Sequence, residues 1–407
     1  MLLISDLHIH SRFSRATSQQ LNMQNLEKWA NIKGVNLLGT GDFTHPLWIK
    51  EIKDNLSEDE NGILRTANGF PFILQSEISL MYSYRGKGRR IHILILAPNL
   101  EIVKQISHYL GKKGRLDYDG RPIFGLTLPE VTEALKEISD DIEIIPAHIW
   151  TPWFGLLGSK SGFNSFEEAF EDQIKHIYAL ETGLSSDPKM NWRLSKLDKY
   201  TITSFSDLHS FWPWRLGREA TLFDIKELTY KNIIKAIRKK EGYLGTIEVN
   251  PAYGKYHFDG HRACNFSCSP KEAIEKYKNI CPVCHKPFTI GVEHRVEELA
   301  DREEGYKPKV AAKVYTLLPL HEILAKILDS AMSTKKVWQE YNKLIDEFKN
   351  EYNILLNVSA EELRKITTDK ITNTIIKNRE EKIKIKPGYD GEYGQAIIET
   401  EKQEKLF

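Results

Sequence analysis

The first 225 residues alternate short apolar runs with amphipathic stretches, and this alternation restricts the fold more than any other feature of the chain. Short apolar runs with polar ends read as buried strands, and apolar residues spaced at three and four read as helices packed on them. Seven runs qualify: 2–10, 35–41, 72–78, 91–97, 142–148, 176–181 and 201–209. Helical spacing separates them in "LNMQNLEKWANIK", "NLEIVKQISHYL", "PEVTEALKEIS" and "SFEEAFEDQIK". The region is therefore α/β. Because its polar residues gather at run ends, a barrel with its site at one rim fits better than an open doubly wound sheet. No Gly-rich phosphate loop follows any run, so no nucleotide cofactor is indicated.

The remainder changes texture twice. Residues 226–310 are turn-rich and hold all four cysteines, and 311–400 turn helical and Lys/Glu-rich, as in "VAAKVYTLLPLHEILAKILDSA" and "TKKVWQEYNKLIDEFKNEYNIL". The expected division is a 1–225 barrel, a 226–310 zinc-binding module, a 311–400 helical domain and a 401–407 flexible tail. Lys and Arg number 57 against 56 Asp and Glu, so bulk charge points to no polyanion and any basic surface must be local. The apolar start at Met1–Ile4 is too short for a signal peptide and no window approaches a membrane span, which predicts a soluble, cytoplasmic protein.

Ser-Asp-Leu-His occurs at 5–8 and again at 206–209. Strand alternation puts Asp6, His8 and His10 on one face, and Asp207 with His209 on another. Further run ends supply Asp42, His45, Glu77, His92, His148 and Glu181, so six of the 13 histidines fall at such places. Taken alone, an HxH pair is an ordinary polar strand end, and His92 inside "IHILILA" is an ordinary core histidine. Together, imidazoles and carboxylates suit zinc, manganese or iron, and one carboxylate can bridge two ions about 3.5–4 Å apart in a hydrolytic site.

These residues resemble the PHP family of phosphoesterases, over roughly the first 225 positions. The resemblance implies a distorted seven-stranded (β/α) barrel with two or three divalent ions, zinc, manganese or magnesium. It implies one ion on His8, His10, Glu77 and Asp207, and a neighbour on Glu77, His92 and His148. His209, with Asp42 or His45, would serve a third ion. Asp207, Glu77 and His209 would be the catalytic residues, and Asp6 would orient a ligand imidazole. After "HIHS" the family often places another histidine or acid, where this chain reads "RFSRATS".

In the cysteine region, Cys281-x2-Cys284 is a strong zinc-knuckle signal, while Cys264-x3-Cys268 is an imperfect one. Residues after a knuckle's second ligand tend toward left-handed backbone, which Asn265 and His285 tolerate. That favours His261, Cys264, Cys281 and Cys284, with Cys268 spare; the four-cysteine set is the alternative. Either set gives a closed structural zinc, since four protein ligands leave no open position.

Aromatic and basic residues recur in "WTPWFG", "HSFWPWRLGRE" and "YRGKGRR". Such groups can stack bases and pair phosphates, or simply pack over a barrel rim and solvate a turn. The barrel, the zinc module with "KYHFDGHRAC" and "CPVCHKP", "GVEHRVEELADREEGY" and "KPGYDGEYG" together resemble the endonuclease Q family, over nearly the whole chain. The resemblance implies hydrolysis of the DNA phosphodiester 5′ of deaminated bases (uracil, hypoxanthine, xanthine) or abasic sites. Two other readings are a phosphatase of small monoesters and a non-catalytic DNA-binding scaffold. The terminal "QEKLF", with Gln403, Leu406 and Phe407, faintly resembles a sliding-clamp-binding peptide.

Overall fold

The computed structural model describes residues 1–398. The tail, with the clamp-like Gln403, Leu406 and Phe407, lies outside the described residues. All seven expected strands form: β1 (Leu2–Asp6), β2 (Leu37–Gly39), β3 (Pro71–Tyr84), β4 (Lys87–Ala97), β5 (Glu143–Pro146), β6 (Ala179–Glu181) and β7 (Thr201–Thr203). β1, β2 and β3 run parallel, whereas β4 is antiparallel to both β3 and β5. That reversal follows from a two-residue turn at Arg85 and Gly86, both with positive φ (48° and 75°), the backbone that matches the twist of a tight hairpin. The run "YRGKGRR" is this hairpin tip.

β6 and β7 pair in parallel with each other. Ile149 N–H donates to Glu181 O at 3.0 Å, and Ile9 forms an isolated parallel bridge with Leu208. These contacts approach the missing edges of a ring, yet among the described residues no continuous ladder closes the expected barrel. The seven strands nevertheless share one interior: Leu3, Leu37, Ile73, Leu94, Ile145 and Ala179 from β1 to β6, with Phe205 just past β7, form a fully or nearly fully buried cluster. The helix Tyr230–Lys239 packs its Ile233, Ile234, Ala236 and Ile237 against that cluster. Tyr230 donates to Leu96 O at 2.9 Å, which places the start of the helix at the C-terminal end of β4.

Beyond the seven strands the sheet continues. β1 also pairs with β8 (Ala220–Asp224), β8 with β9 (Tyr243–Glu248), and β9 in parallel with β12 (Lys313–Thr316); between them lies the hairpin of β10 (Asp259–His261) and β11 (Phe266–Cys268). The helical texture expected from 311 thus begins only at Leu320, because "KVYT" is β-prone and finds an open strand edge. Helices at Leu320–Ile327, Lys335–Phe348, Glu351–Leu356, Ala360–Ile366 and Asp369–Arg379 follow. They dock on α1 (Met23–Lys33), where buried Lys33 Nζ lies 2.6 Å from buried Glu351 Oε1. Trp29, Trp212, Trp214 and Trp338 pack ring to ring at the same junction, so the "WPW" motif is a packing element. No helix among the described residues is long and apolar enough to cross a membrane.

Candidate metal centre

Two groups of ligating side chains meet at one carboxylate. His8, His10, Glu77 and Asp207 bring their ligand atoms within 4.8 Å of one another, and so do Glu77, His92 and His148. Glu77 serves both through different oxygens. Its Oε2 lies 3.2 Å from His10 Nε2 and 3.5 Å from His8 Nε2, while Oε1 lies 2.7 Å from His92 Nδ1 and 3.2 Å from His148 Nε2. Strand geometry explains the convergence. Glu77 shares the inward face of β3 with Ile73, and His92 shares the inward face of the reversed β4 with Leu94, so both point where the interior cluster ends. Asp42, His148 and Asp207 all hold positive φ (40°, 30° and 46°), uncommon backbone for non-glycine residues and typical of functional sites.

A shell of carboxylates orients the imidazoles. His8 Nδ1 meets Glu181 Oε1 at 2.8 Å, and His10 Nδ1 meets Asp42 Oδ1 at 3.0 Å, so each histidine presents Nε2 inward. Glu181 Oε2 also accepts His148 N–H at 2.7 Å, and Asp42 Oδ2 accepts Ser11 N–H and the Ser14 hydroxyl. His8 Nε2 is buried with no hydrogen-bond partner among the described residues, an orphan that a cation among Glu77, His10 and Asp207 would satisfy. The donor set therefore fits a pair of divalent ions.

Charge is concentrated here. Burial opposes charging His8, yet the carboxylates of Glu181, Asp207 and Glu77 outweigh it and hold the imidazole well above its ordinary range. Burial likewise works against ionising Glu77, but His92, Arg121 and His8 hold it well below the usual carboxylate range. His92 is pushed down to about 4, mainly by burial. A cleft of about 780 Å³ opens beside Asp207 and His148, lined also by His209, Arg215, Arg218 and Tyr256.

Three expectations change. Asp6 does not orient an imidazole: its carboxylate accepts the backbone N–H groups of Ser206 (2.9 Å) and Gly217 (3.0 Å), tying β1 to the turn that carries Asp207. Among the described residues, His209, Asp42 and His45 form no third ligand group. Asp42 is committed to His10 and the serines, and His45 stacks on Phe13 with ring centroids 4.5 Å apart. Of the aromatic motif, Trp150 is wholly buried and Phe154 covers His92 at 4.4 Å, leaving Trp153 as its exposed member. Sequence reading missed Arg121, whose Nη1 reaches Glu77 Oε2 at 3.0 Å; "DGRP" carried no periodic or motif signal.

Behind the centre, Ser204 Oγ lies 3.0 Å from Glu219 Oε2 and 2.8 Å from Glu248 Oε2, all buried. One hydroxyl carries one proton, so it cannot donate to both carboxyls; one of the acids supplies the other proton. Consistent with this, burial pushes Glu219 up to about 8.

In the cysteine region, His261, Cys264, Cys281 and Cys284 gather, with His261 Nδ1 3.2 Å from Cys264 Sγ and 3.1 Å from Cys284 Sγ. Asn265 and His285 adopt the expected left-handed backbone (φ 48° and 58°). Cys268 stands outside the group, buried with Ala273 and Phe288.

Comparison with known proteins places this geometry in context. Residues 319–382 match the MJ0043 C-terminal domain family. An uncharacterised Methanocaldococcus jannaschii protein, MJ0043, is 31% identical over 278 residues, 66% of this chain and 34% of that protein, so the match spans about a third of that relative's length. Bacillus subtilis YqxK is 27% identical over 97% of this chain and 98% of its own. The lesion-specific endonuclease PfuEndoQ of Pyrococcus furiosus superposes with a TM-score of 0.88 at 32% identity, covering 98% of this chain and 96% of that one. Endonuclease Q bound to a 27-mer duplex with an abasic lesion at its active site gives 0.87 at 32% identity, covering 98% and 97%.

Proposed function

The chain belongs to the endonuclease Q family, and from that premise we propose a DNA repair endonuclease that hydrolyses the phosphodiester 5′ of deaminated bases (uracil, hypoxanthine, xanthine) or abasic sites. The observation that carries the reading is Glu77, which offers one oxygen to each histidine group as a bridging carboxylate does. Likeness to an endonuclease bound to an abasic duplex supports DNA as the substrate.

In this reading His8, His10, Glu77 and Asp207 hold one ion and Glu77, His92 and His148 its neighbour. Ions bound there would supply Lewis acidity to a phosphate oxygen and make a water acidic enough to attack at neutral pH. The chain's own groups do the positioning. Glu181 and Asp42 fix the rings of His8 and His10. His209 Nδ1 donates to Asp207 O at 2.9 Å, which leaves Nε2 of the neutral ring an acceptor at the cleft, available to a hydrogen-bond donor such as a water. We read β1–β7 as a distorted ring of the PHP type, residues 226–310 as a module closed around a structural zinc on His261, Cys264, Cys281 and Cys284, and 311–400 as the helical partner that helps grip the duplex.

The test is nicking of end-labelled duplexes bearing one uracil, one hypoxanthine, one abasic site or none, by metal-replete protein and by Asp207→Ala. Lesion-dependent nicking on the 5′ side, abolished in the variant, is the expected result. Absence of nicking on every duplex would reject the proposal.

A further inference from the structure

Residues 117–121 deliver one arginine to the shared carboxylate, and the delivery is built. Gly120 N–H donates to Phe13 O at 3.1 Å, and buried Asp119 accepts Arg121 N–H at 3.1 Å while facing Arg15 Nε at 3.3 Å. On the other side Ser79 N–H of β3 donates to Pro122 O at 2.9 Å, and Ile123–Phe124 pairs in parallel with Ser79 and Leu80. A Cβ at position 120 would overlap the Asp42 carboxylate and the Ser14 hydroxyl, so only glycine lets this loop lie against the histidine shell. Arg121 Nη1 ends 3.0 Å from Glu77 Oε2, the oxygen that faces His8 and His10.

Among the described residues this is the one hydrogen bond of the guanidinium, and the side chain stays 24% exposed. A fork of five N–H donors is thus mostly unspent beside the carboxylate that both histidine groups share. Neutralising Glu77 does not explain it, because ions on the two histidine groups would already do so. A fixed cation beside divalent cations is repelled unless a further anion comes between them.

We propose that Arg121 is a catalytic residue that binds a non-bridging oxygen of the scissile phosphate, with Glu77 holding the fork until substrate arrives. The inference rests on the endonuclease reading above. During hydrolysis the water oxygen bonds to phosphorus, one ester P–O bond breaks, and the departing oxygen takes a proton. Arg121 keeps all its protons and stabilises the charge on the equatorial oxygens.

The experiment compares wild type with Arg121→Ala, Arg121→Gln and Arg121→Lys in single-turnover nicking of an abasic duplex, with bound metal measured on the same samples. Arg121→Ala and Arg121→Gln should be slower by about 10²–10³-fold, the usual loss of one oxyanion donor, with metal content unchanged. Arg121→Lys should recover little, since a point charge lacks the planar fork. Added guanidinium ion should restore Arg121→Ala at least tenfold and leave Asp207→Ala inactive. Sulfur at one non-bridging position should slow wild type far more than Arg121→Ala. Nicking at the wild-type rate by Arg121→Ala, or loss of metal from both Arg121→Ala and Arg121→Gln without guanidinium rescue, overturns the inference alone. Failure of wild type to nick any duplex removes the endonuclease reading and this inference together.

Discussion

Around a tetrahedral ion there are four positions, and five side chains of the 261–284 segment could compete for them. The imidazole of His261 lies within 3.2 Å of two thiols, while Cys268 faces Ala273 and Phe288. Cys284→Ser should therefore hold one equivalent of zinc less than wild type by elemental analysis and melt at lower temperature, whereas Cys268→Ser keeps the wild-type zinc content. The opposite pattern would exchange their roles. The side chains that gather in the two candidate groups were the legible part, because metal chemistry admits few residue types and strand ends or knuckle spacing reveal where they fall. Hydrogen-bond partners were not legible. Asp6 shares strand parity with His8 yet serves backbone N–H groups more than 200 residues away in the case of Gly217, and Arg121 arrives from a loop with no pattern at all.

Strands and helices were read well where burial is two-sided and poorly where partners are distant. All seven apolar runs became strands, but a run carries no sign of its direction, and the antiparallel β4 depends on the turn at Arg85–Gly86. "SFEEAFEDQIK" has helical spacing throughout, yet its helix ends at Phe170, where Glu171 adopts φ 51°, and continues as a tighter 3-10 turn. The junction between α1 and the C-terminal helices was hidden altogether. There Glu351 takes Lys33, Leu320 N–H at 2.9 Å and the Tyr341 hydroxyl at 2.9 Å, and Lys33 also donates to Pro213 O at 2.8 Å. Removing one partner strands a buried charge, so Lys33→Met or Glu351→Gln alone should cost about 3–5 kcal/mol in denaturant unfolding. Combining the two should recover most of the loss; costs that simply add would show that the pair is not coupled.

For the molecule as a whole, the Ser204 hydroxyl between Glu219 and Glu248 sets a pH dependence that composition cannot show. Burial holds Glu219 up at about 8 and its partner Glu248 well above the ordinary carboxylate value of 4.5. Between these values the native state keeps a proton that the unfolded chain has released, so stability falls as pH rises through the window, by about 1.4 kcal/mol per unit for each proton retained. Below pH 4.5 both states are protonated and the slope vanishes; toward higher pH it vanishes again once the folded pair has released its protons. Glu219→Gln should gain stability relative to wild type steadily from pH 5 to 8; parallel melting curves across that range would contradict it. The same hydroxyl has a stoichiometric consequence: at neutral pH this chain takes up hydrogen ions from its buffer as it folds. Unfolding heats measured in phosphate and in Tris should then differ by the ionisation enthalpy of the buffer, and that difference counts the protons the fold encloses.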